Sequence, residues 1–118
     1  KSRVAEVTHF FKHIKIKGKP EALLCAYRVF SELFNNVIKY SDARNIYVNG
    51  DKNQNLVSIT IKHDGKEFNP FLEVAAKGYG LKSLNARCKW LQVKPTYTYT
   101  NGENTIELVF NEKYLLNV

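Results

Sequence analysis

Four residues of the chain, Glu32, Asn36, Lys39 and Tyr40, combine side-chain types and spacings suited to chemistry. At about 100° per residue an α-helix brings them within an arc of roughly 100°, flanked by Arg28 and Asn35. A carboxylate one turn below a carboxamide, with an ammonium one turn above, can hold a hydrated divalent cation and the phosphates it bridges. On an arbitrary helix the same residues more often form a solvated face. Spacing alone does not separate the two.

The elements that must position these residues can be read from the surrounding pattern. Leu24, Tyr27, Phe30, Phe34, Val37 and Ile38 recur near helical spacing and predict a helix over roughly Glu21 to Tyr40. Pro20 suits its first turn and Glu21 its positive amino end. Before it, Val7 to Lys17 reads as a strand, with Ile14 and Ile16 on one side and Lys15 and Lys17 on the other. After it come a strand over Arg44 to Asn49, a turn at Gly50-Asp51-Lys52-Asn53, and a strand over Leu56 to His63 directing Val57, Ile59 and Ile61 to the core. A connection from Phe68 to Lys77 holds a short apolar stretch over Phe71 to Ala76. It leads to a second helix over about Leu81 to Leu91. Strands over Val93 to Thr100 and Thr105 to Phe110 flank the turn Asn101-Gly102-Glu103. This order predicts an α+β fold: a two-layer α/β sandwich whose mixed, mostly antiparallel sheet carries helices on one face.

Two segments together resemble a known family. The helix segment Glu32, Asn36, Lys39, Tyr40, Ser41 and Ala43 resembles the N-box of the histidine kinase-like ATPase superfamily, the Bergerat fold shared with gyrase-type ATPases. Gly78-Tyr79-Gly80-Leu81, followed by a helix bearing Arg87, resembles its second glycine box. The similarity runs from about Leu23 to Phe110 and is nearest to the ATP-binding domain of two-component sensor histidine kinases with a short lid. It implies that ATP and Mg²⁺ are bound, with Asn36 as metal ligand and Glu32 as the catalytic carboxylate that orients a water or acts as base. Asn35, Lys39 and Tyr40 would line the nucleotide. Backbone N–H groups about Gly78, Tyr79, Gly80 and Leu81 would bind phosphate oxygens at a helix amino end. The implied reaction is phosphoryl transfer to a histidine on a separate dimerising domain of the same protein, then to the aspartate of a response regulator. No nucleic acid and no membrane contact is implied for this domain, which would be cytoplasmic even if its parent is membrane-bound.

The first glycine box departs from the family pattern. His63-Asp64-Gly65-Lys66-Glu67-Phe68 stands where Asp-x-Gly-x-Gly-Phe is expected, so His63 replaces the carboxylate that accepts the adenine amino group. A neutral imidazole accepts one hydrogen bond and a protonated one none. Loss of the charge-assisted contact is worth about 1.5–3 kcal/mol, or roughly ten- to a hundredfold in affinity. The late Gly-Thr pair of the family becomes Asn104-Thr105, leaving Thr105 for the adenine side. A kinase domain with an altered base pocket and a degenerate domain serving as a scaffold both fit this pattern. An anti-sigma-factor-type serine kinase uses the same fold. A basic module for nucleic acid or an acidic protein is the reading from another class.

Bulk properties bound these readings. The 118 residues suit one domain, and the start at Lys1 suggests a domain excised from a longer protein. No apolar run approaches membrane-spanning length. The net charge of +7 is partly local, with Lys12, Lys15, Lys17 and Lys19 clustered as on a protected edge strand. The two cysteines, Cys25 and Cys88, are expected as reduced, buried thiols. His9 and His13 share the spacing of a helical metal pair, but no third ligand lies nearby.

Overall fold

The computed structural model describes residues 13–71 and 81–118. The elements that lie wholly among the described residues follow in the order α1 (Pro20–Tyr40), β1 (Ile46–Asn53), β2 (Leu56–His63), α2 (Leu81–Leu91), β3 (Thr96–Thr100), β4 (Glu103–Asn111) and α3 (Glu112–Asn117). The strands form one sheet in the order β1-β2-β4-β3, and every pair is antiparallel. One sheet face, carrying Val57, Ile59, Ile61, Ile106, Leu108 and Phe110, packs with α1 and α2 into a single core. The α+β sandwich expected from the element order is the architecture observed.

Alternation is strict on the two central strands. Residues 57, 59, 61 and 63 of β2 are buried, and so are 104, 106, 108 and 110 of β4. This period of two sets one face against the helices and leaves Thr60, Lys62, Thr105 and Glu107 on the other. Two short turns hold the register. Gln54-Asn55 closes β1 on β2 with Gln54 at φ 57°, and Asn101-Gly102 closes β3 on β4 with φ values of 52° and 79°. The second pair has the type I′ geometry that Asn-Gly favours.

Several boundaries differ from expectation for identifiable reasons. The turn expected at Gly50-Asp51-Lys52-Asn53 lies within β1, where these residues pair with Ile59, Ser58, Val57 and Leu56. β1 is an edge strand, so turn-forming polar residues can face water on it without disturbing the ladder. Residues 93–95 precede β3 instead of belonging to it. Gln92 adopts φ 56°, its N–H donates to Lys89 O at 3.1 Å, and Val93 N–H donates to Cys88 O at 2.9 Å. These are the paired bonds of a Schellman stop, which buries Val93 as the tail of α2. Of the strand expected over 7–17, residues 7–12 and His9 lie outside the described residues. His13 and Ile14 are helical and Lys15 turns at φ 54°. Ile14 and Ile16 still pack on the core while Lys15 and Lys17 are exposed.

The buried stripe of α1 is Ala22, Ala26, Val29, Phe30, Leu33 and Val37. Leu24, expected on that stripe, is 51% exposed. The alanines face the core because a small side chain lets the helix axis approach its neighbours, and an apolar count that favours large residues passes over them. Both cysteines are free thiols, Cys25 half-buried and Cys88 buried, and burial raises Cys88 to about 11. α3 closes the opposite end of the sandwich. Asn111 Oδ1 accepts from Lys113 N–H at 2.9 Å as its cap, and Leu115 enters the core beneath Gly18. Buried Glu112 accepts from Lys17 N–H and pairs with Lys52, both at 2.9 Å.

Candidate functional site

The carboxyl half of α1 is continuous helix through Tyr40, so its polar residues take up the arc their spacing predicts. Glu32 is half-buried and pairs with Arg87 of α2 at 3.4 Å, each side chain about 30% exposed. Asn36 is half-buried, and Asn35 and Lys39 are exposed. Among the described residues neither Asn36 nor Lys39 spends its side-chain polar group on a hydrogen bond or ion pair. An amide oxygen, an ammonium and a carboxylate are thereby gathered on one wet face.

Where α1 ends, the chain is tied to the loop after β2. Ser41 N–H and Ser41 Oγ–H both donate to Val37 O, at 3.1 and 2.6 Å. Ser41 Oγ accepts from Ala43 N–H at 3.2 Å, and Ser41 O accepts from Lys66 N–H at 2.9 Å. Gly65 lies against this junction so closely that a Cβ there would collide with Ser41 O and come within 2.8 Å of Ser41 Oγ. Glycine is required at 65 by that approach. The aromatic ring of Tyr40 meets Phe68 with centroids 5.9 Å apart, closing helix and loop on each other from the side.

Asp64 serves this junction, and its carboxylate is turned away from the core. It accepts from the N–H groups of Arg44 and Asn45 at 2.9 Å each and from Asn45 Nδ2 at 2.8 Å. Hydrogen bonds from the Asn45 backbone and side chain, then from the Arg44 backbone, lower its pKa to about 2. Its oxygens are thus engaged in holding the start of β1.

Beyond this junction lie the ends of β2 and β4. His63 is 1% exposed, and its cross-strand neighbours are Ile46 and Asn104. Its Nδ1 accepts from Gly65 N–H at 3.1 Å. The ring proton therefore resides on Nε2, which is buried with no partner among the described residues. Burial holds the imidazole pKa below its ordinary value, against the opposing charge of Asp64.

Asn104, fully buried, faces the same way. Its Oδ1 accepts from Phe68 N–H at 3.1 Å and from Tyr97 Oη–H, and its Nδ2 donates to Gly65 O at 3.0 Å and His63 O at 3.5 Å. One amide thus ties loop 64–71 to the sheet. Tyr97 Oη also accepts from Phe68 N–H at 3.0 Å.

Of the sequence-derived site residues, the structure gathers Glu32, Asn36, Lys39 and Tyr40 on one helix segment, with Asn35 at its margin. It joins that segment through Ser41 to Gly65 and His63. Thr105 is not brought there. It lies on the opposite sheet face, because the residue in phase with Ile106, Leu108 and Phe110 is Asn104. Asn104 is the residue the sequence reading missed, and counting back by twos from Phe110 would have found it. Gly78, Tyr79 and Gly80 lie outside the described residues, as does the apolar stretch after Phe71. Leu81 is the first residue of α2. Among the described residues no three His, Cys, Asp or Glu side chains gather as a metal cage. Mg²⁺ beside nucleotides takes one or two protein oxygens and completes its shell with phosphates and water, a demand that Asn36 Oδ1 can meet.

No protein-family model and no curated protein sequence matches the chain. Solved structures do. The Acinetobacter baumannii histidine kinase AdeS superposes with a TM-score of 0.63 at 16% identity, over 76% of this chain and 47% of its own. The histidine kinase domain of the Erythrobacter litoralis EL346 blue-light activated histidine kinase gives 0.63 at 10% identity, over 80% of this chain and 52% of that one. A longer structure of the EL346 kinase gives 0.67 at 12% identity, over 92% of this chain and 40% of that one. The chain thus spans about half or less of each. At these identities the shared property is the fold, and the matched part of each histidine kinase has the architecture described above. No helix among the described residues is long and apolar enough to cross a membrane.

Proposed function

We propose that the chain is the ATP-binding domain of a two-component sensor histidine kinase, holding Mg-ATP along α1 and delivering its terminal phosphoryl group to a histidine on a separate dimerising domain of the same protein. The phosphoryl group then passes to an aspartate of a response regulator. The observation that carries this reading is the wet face of α1: Asn36 and Lys39 have no protein partner among the described residues, beside a Glu32 held in place by Arg87. Polar groups left unengaged next to an anchored loop are what an anionic ligand requires.

In the transfer, the bond from the terminal phosphorus to its bridging oxygen breaks, and a bond from phosphorus to an imidazole nitrogen of the acceptor forms. Mg²⁺, when held by Asn36, would supply charge stabilisation for the departing oxygens. Asn36 presents the oxygen that fixes the metal's position. Lys39 offsets phosphate charge. Glu32 orients a water of the metal shell or takes the proton shed by the acceptor, and Arg87 sets the direction of its carboxylate. A cytoplasmic location follows from this role.

Calorimetric titration with ATP and Mg²⁺ tests the proposal. Asn36→Ala should abolish magnesium-dependent binding and leave the thermal midpoint nearly unchanged. Binding as tight as the parent's would remove Asn36 from this role. A second reading, a domain that has lost nucleotide and acts as a scaffold, is favoured by the altered first glycine box, where His63 and Glu67 stand in place of the expected Asp and Gly. Absence of binding at millimolar ATP, ADP and GTP would select it.

A further inference from the structure

The sheet end at His63 and Asn104 carries an inverted hydrogen-bonding sense. At the family position of a carboxylate, an acceptor only, the structure places an imidazole whose acceptor nitrogen is already used by its own loop. Gly65 N–H occupies Nδ1 at 3.1 Å, so what His63 has left to offer is the Nε2 proton. That nitrogen is buried without a partner among the described residues. The neighbouring Asn104 cannot compensate, because both its oxygen and its nitrogen are committed to the loop, Tyr97 and the His63 carbonyl. Among the described residues, this buried donor awaiting an acceptor is the unmet polar demand at this end of the sheet.

We propose that His63 makes the base pocket select a purine with an oxygen at carbon 6, guanine or hypoxanthine, over adenine. The inference rests on the nucleotide-binding reading above and deepens it. An exocyclic carbonyl accepts from Nε2–H, whereas the amino group of adenine sets donor against donor and leaves Nε2 unsatisfied. Sites that hydrogen-bond a specific group reject the analogue lacking it, because their own polar atom is then stranded. The expected discrimination is about ten- to a hundredfold. Gly65 is the positioning residue: its N–H fixes the tautomer, and its lack of a side chain permits the approach to Ser41 that brings that N–H to the ring.

The test is calorimetric titration of the full chain with the magnesium complexes of ITP, GTP, ATP and inorganic triphosphate. ITP differs from ATP at carbon 6 and isolates that contact from the 2-amino group of guanine. ITP and GTP binding tenfold or more tighter than ATP is the expected result. His63→Asp should reverse the order, and His63→Asn, which presents both a donor and an acceptor, should bind ITP and ATP within a few-fold of each other. The Asn variant carries the test if a buried aspartate does not fold. ATP equal to or tighter than ITP in the parent overturns the inference while leaving the nucleotide reading intact, as does binding of triphosphate with no base discrimination. Binding of none of the four removes the nucleotide reading and the inference together.

Discussion

The outward face of α1 and the inward end of β2 and β4 meet at Ser41, yet they hold their polar groups in opposite ways. On α1, Asn36 and Lys39 are unengaged among the described residues, and Glu32 is paired at 3.4 Å with Arg87 on another helix. At the strand ends, Asn104 makes four hydrogen bonds, Gly65 is wedged against Ser41, and Nε2 of His63 is unmet among the described residues. The first arrangement is free to change partners at little cost to the fold. In the second, stability and recognition depend on the same atoms. Changes on the helix should therefore act on binding and spare stability, while changes at the strand ends should act on both.

The largest effect is expected at Gly65. A methyl there meets backbone oxygen, which cannot move aside as a flexible side chain would, so Gly65→Ala should cost about 3 kcal/mol or more. A lowered denaturant midpoint with unchanged slope would show it, and a small effect would mean the junction is looser than its contacts indicate. Next comes Asn104→Ala, which strands the Gly65 carbonyl, takes one of the two acceptors from Phe68 N–H and leaves a gap between loop and sheet, and should cost about 2–3 kcal/mol. Thr105→Ala, one residue on but facing water, should stay within about 0.5 kcal/mol. Equal costs at 104 and 105 would erase the distinction between the two sheet faces.

Titration separates the regions further. The folded pKa of His63 lies below that of the unfolded chain, so the unfolded state binds the extra proton first. Its contribution is complete above about pH 6.5 and declines as pH falls through the window below that value. Denaturant midpoints followed downward from neutral pH should fall earlier in the parent than in His63→Asn. Asp64 contributes separately, with its support lost from near 3.8 towards about 2. The smallest effect is expected on the helix: a double-mutant cycle over Glu32 and Arg87 should give about 0.5 kcal/mol, because both side chains are about 30% exposed. A coupling several times larger would place that pair with the rigid half.

Periodicity carried most of the fold. α1, β2 and α2 lie within a residue or so of where their patterns predict, because each buries a face with an unambiguous period. Errors fell where local chemistry has two uses. Gly50, Asp51 and Asn53 are turn formers that an edge strand also accepts, and Gln92 takes a left-handed conformation usually given to glycine. Ala22 and Ala26 look neutral until a neighbouring layer approaches them. At the site, the residue types on α1 and the replacement at His63 could be read directly. The ring's free valence could not, since it depends on a hydrogen bond from Gly65 that only the folded turn creates. Nor could Asn104 be separated from Thr105 by type alone, as both are small polar residues and the choice is made by strand phase.

The Asn101-Gly102 reversal has a consequence at a distance. Two left-handed residues return the chain with no slack, so the parity of β4 is settled at its tip, before the buried amide is reached. Sliding β4 by one position would turn Ile106, Leu108 and Phe110 out to water together with Asn104. The greasy side chains farther along thus guard the address of a group they do not bond. Evolution can exchange the chemical identity at 104 one substitution at a time, but it cannot relocate that position without dismantling the sheet.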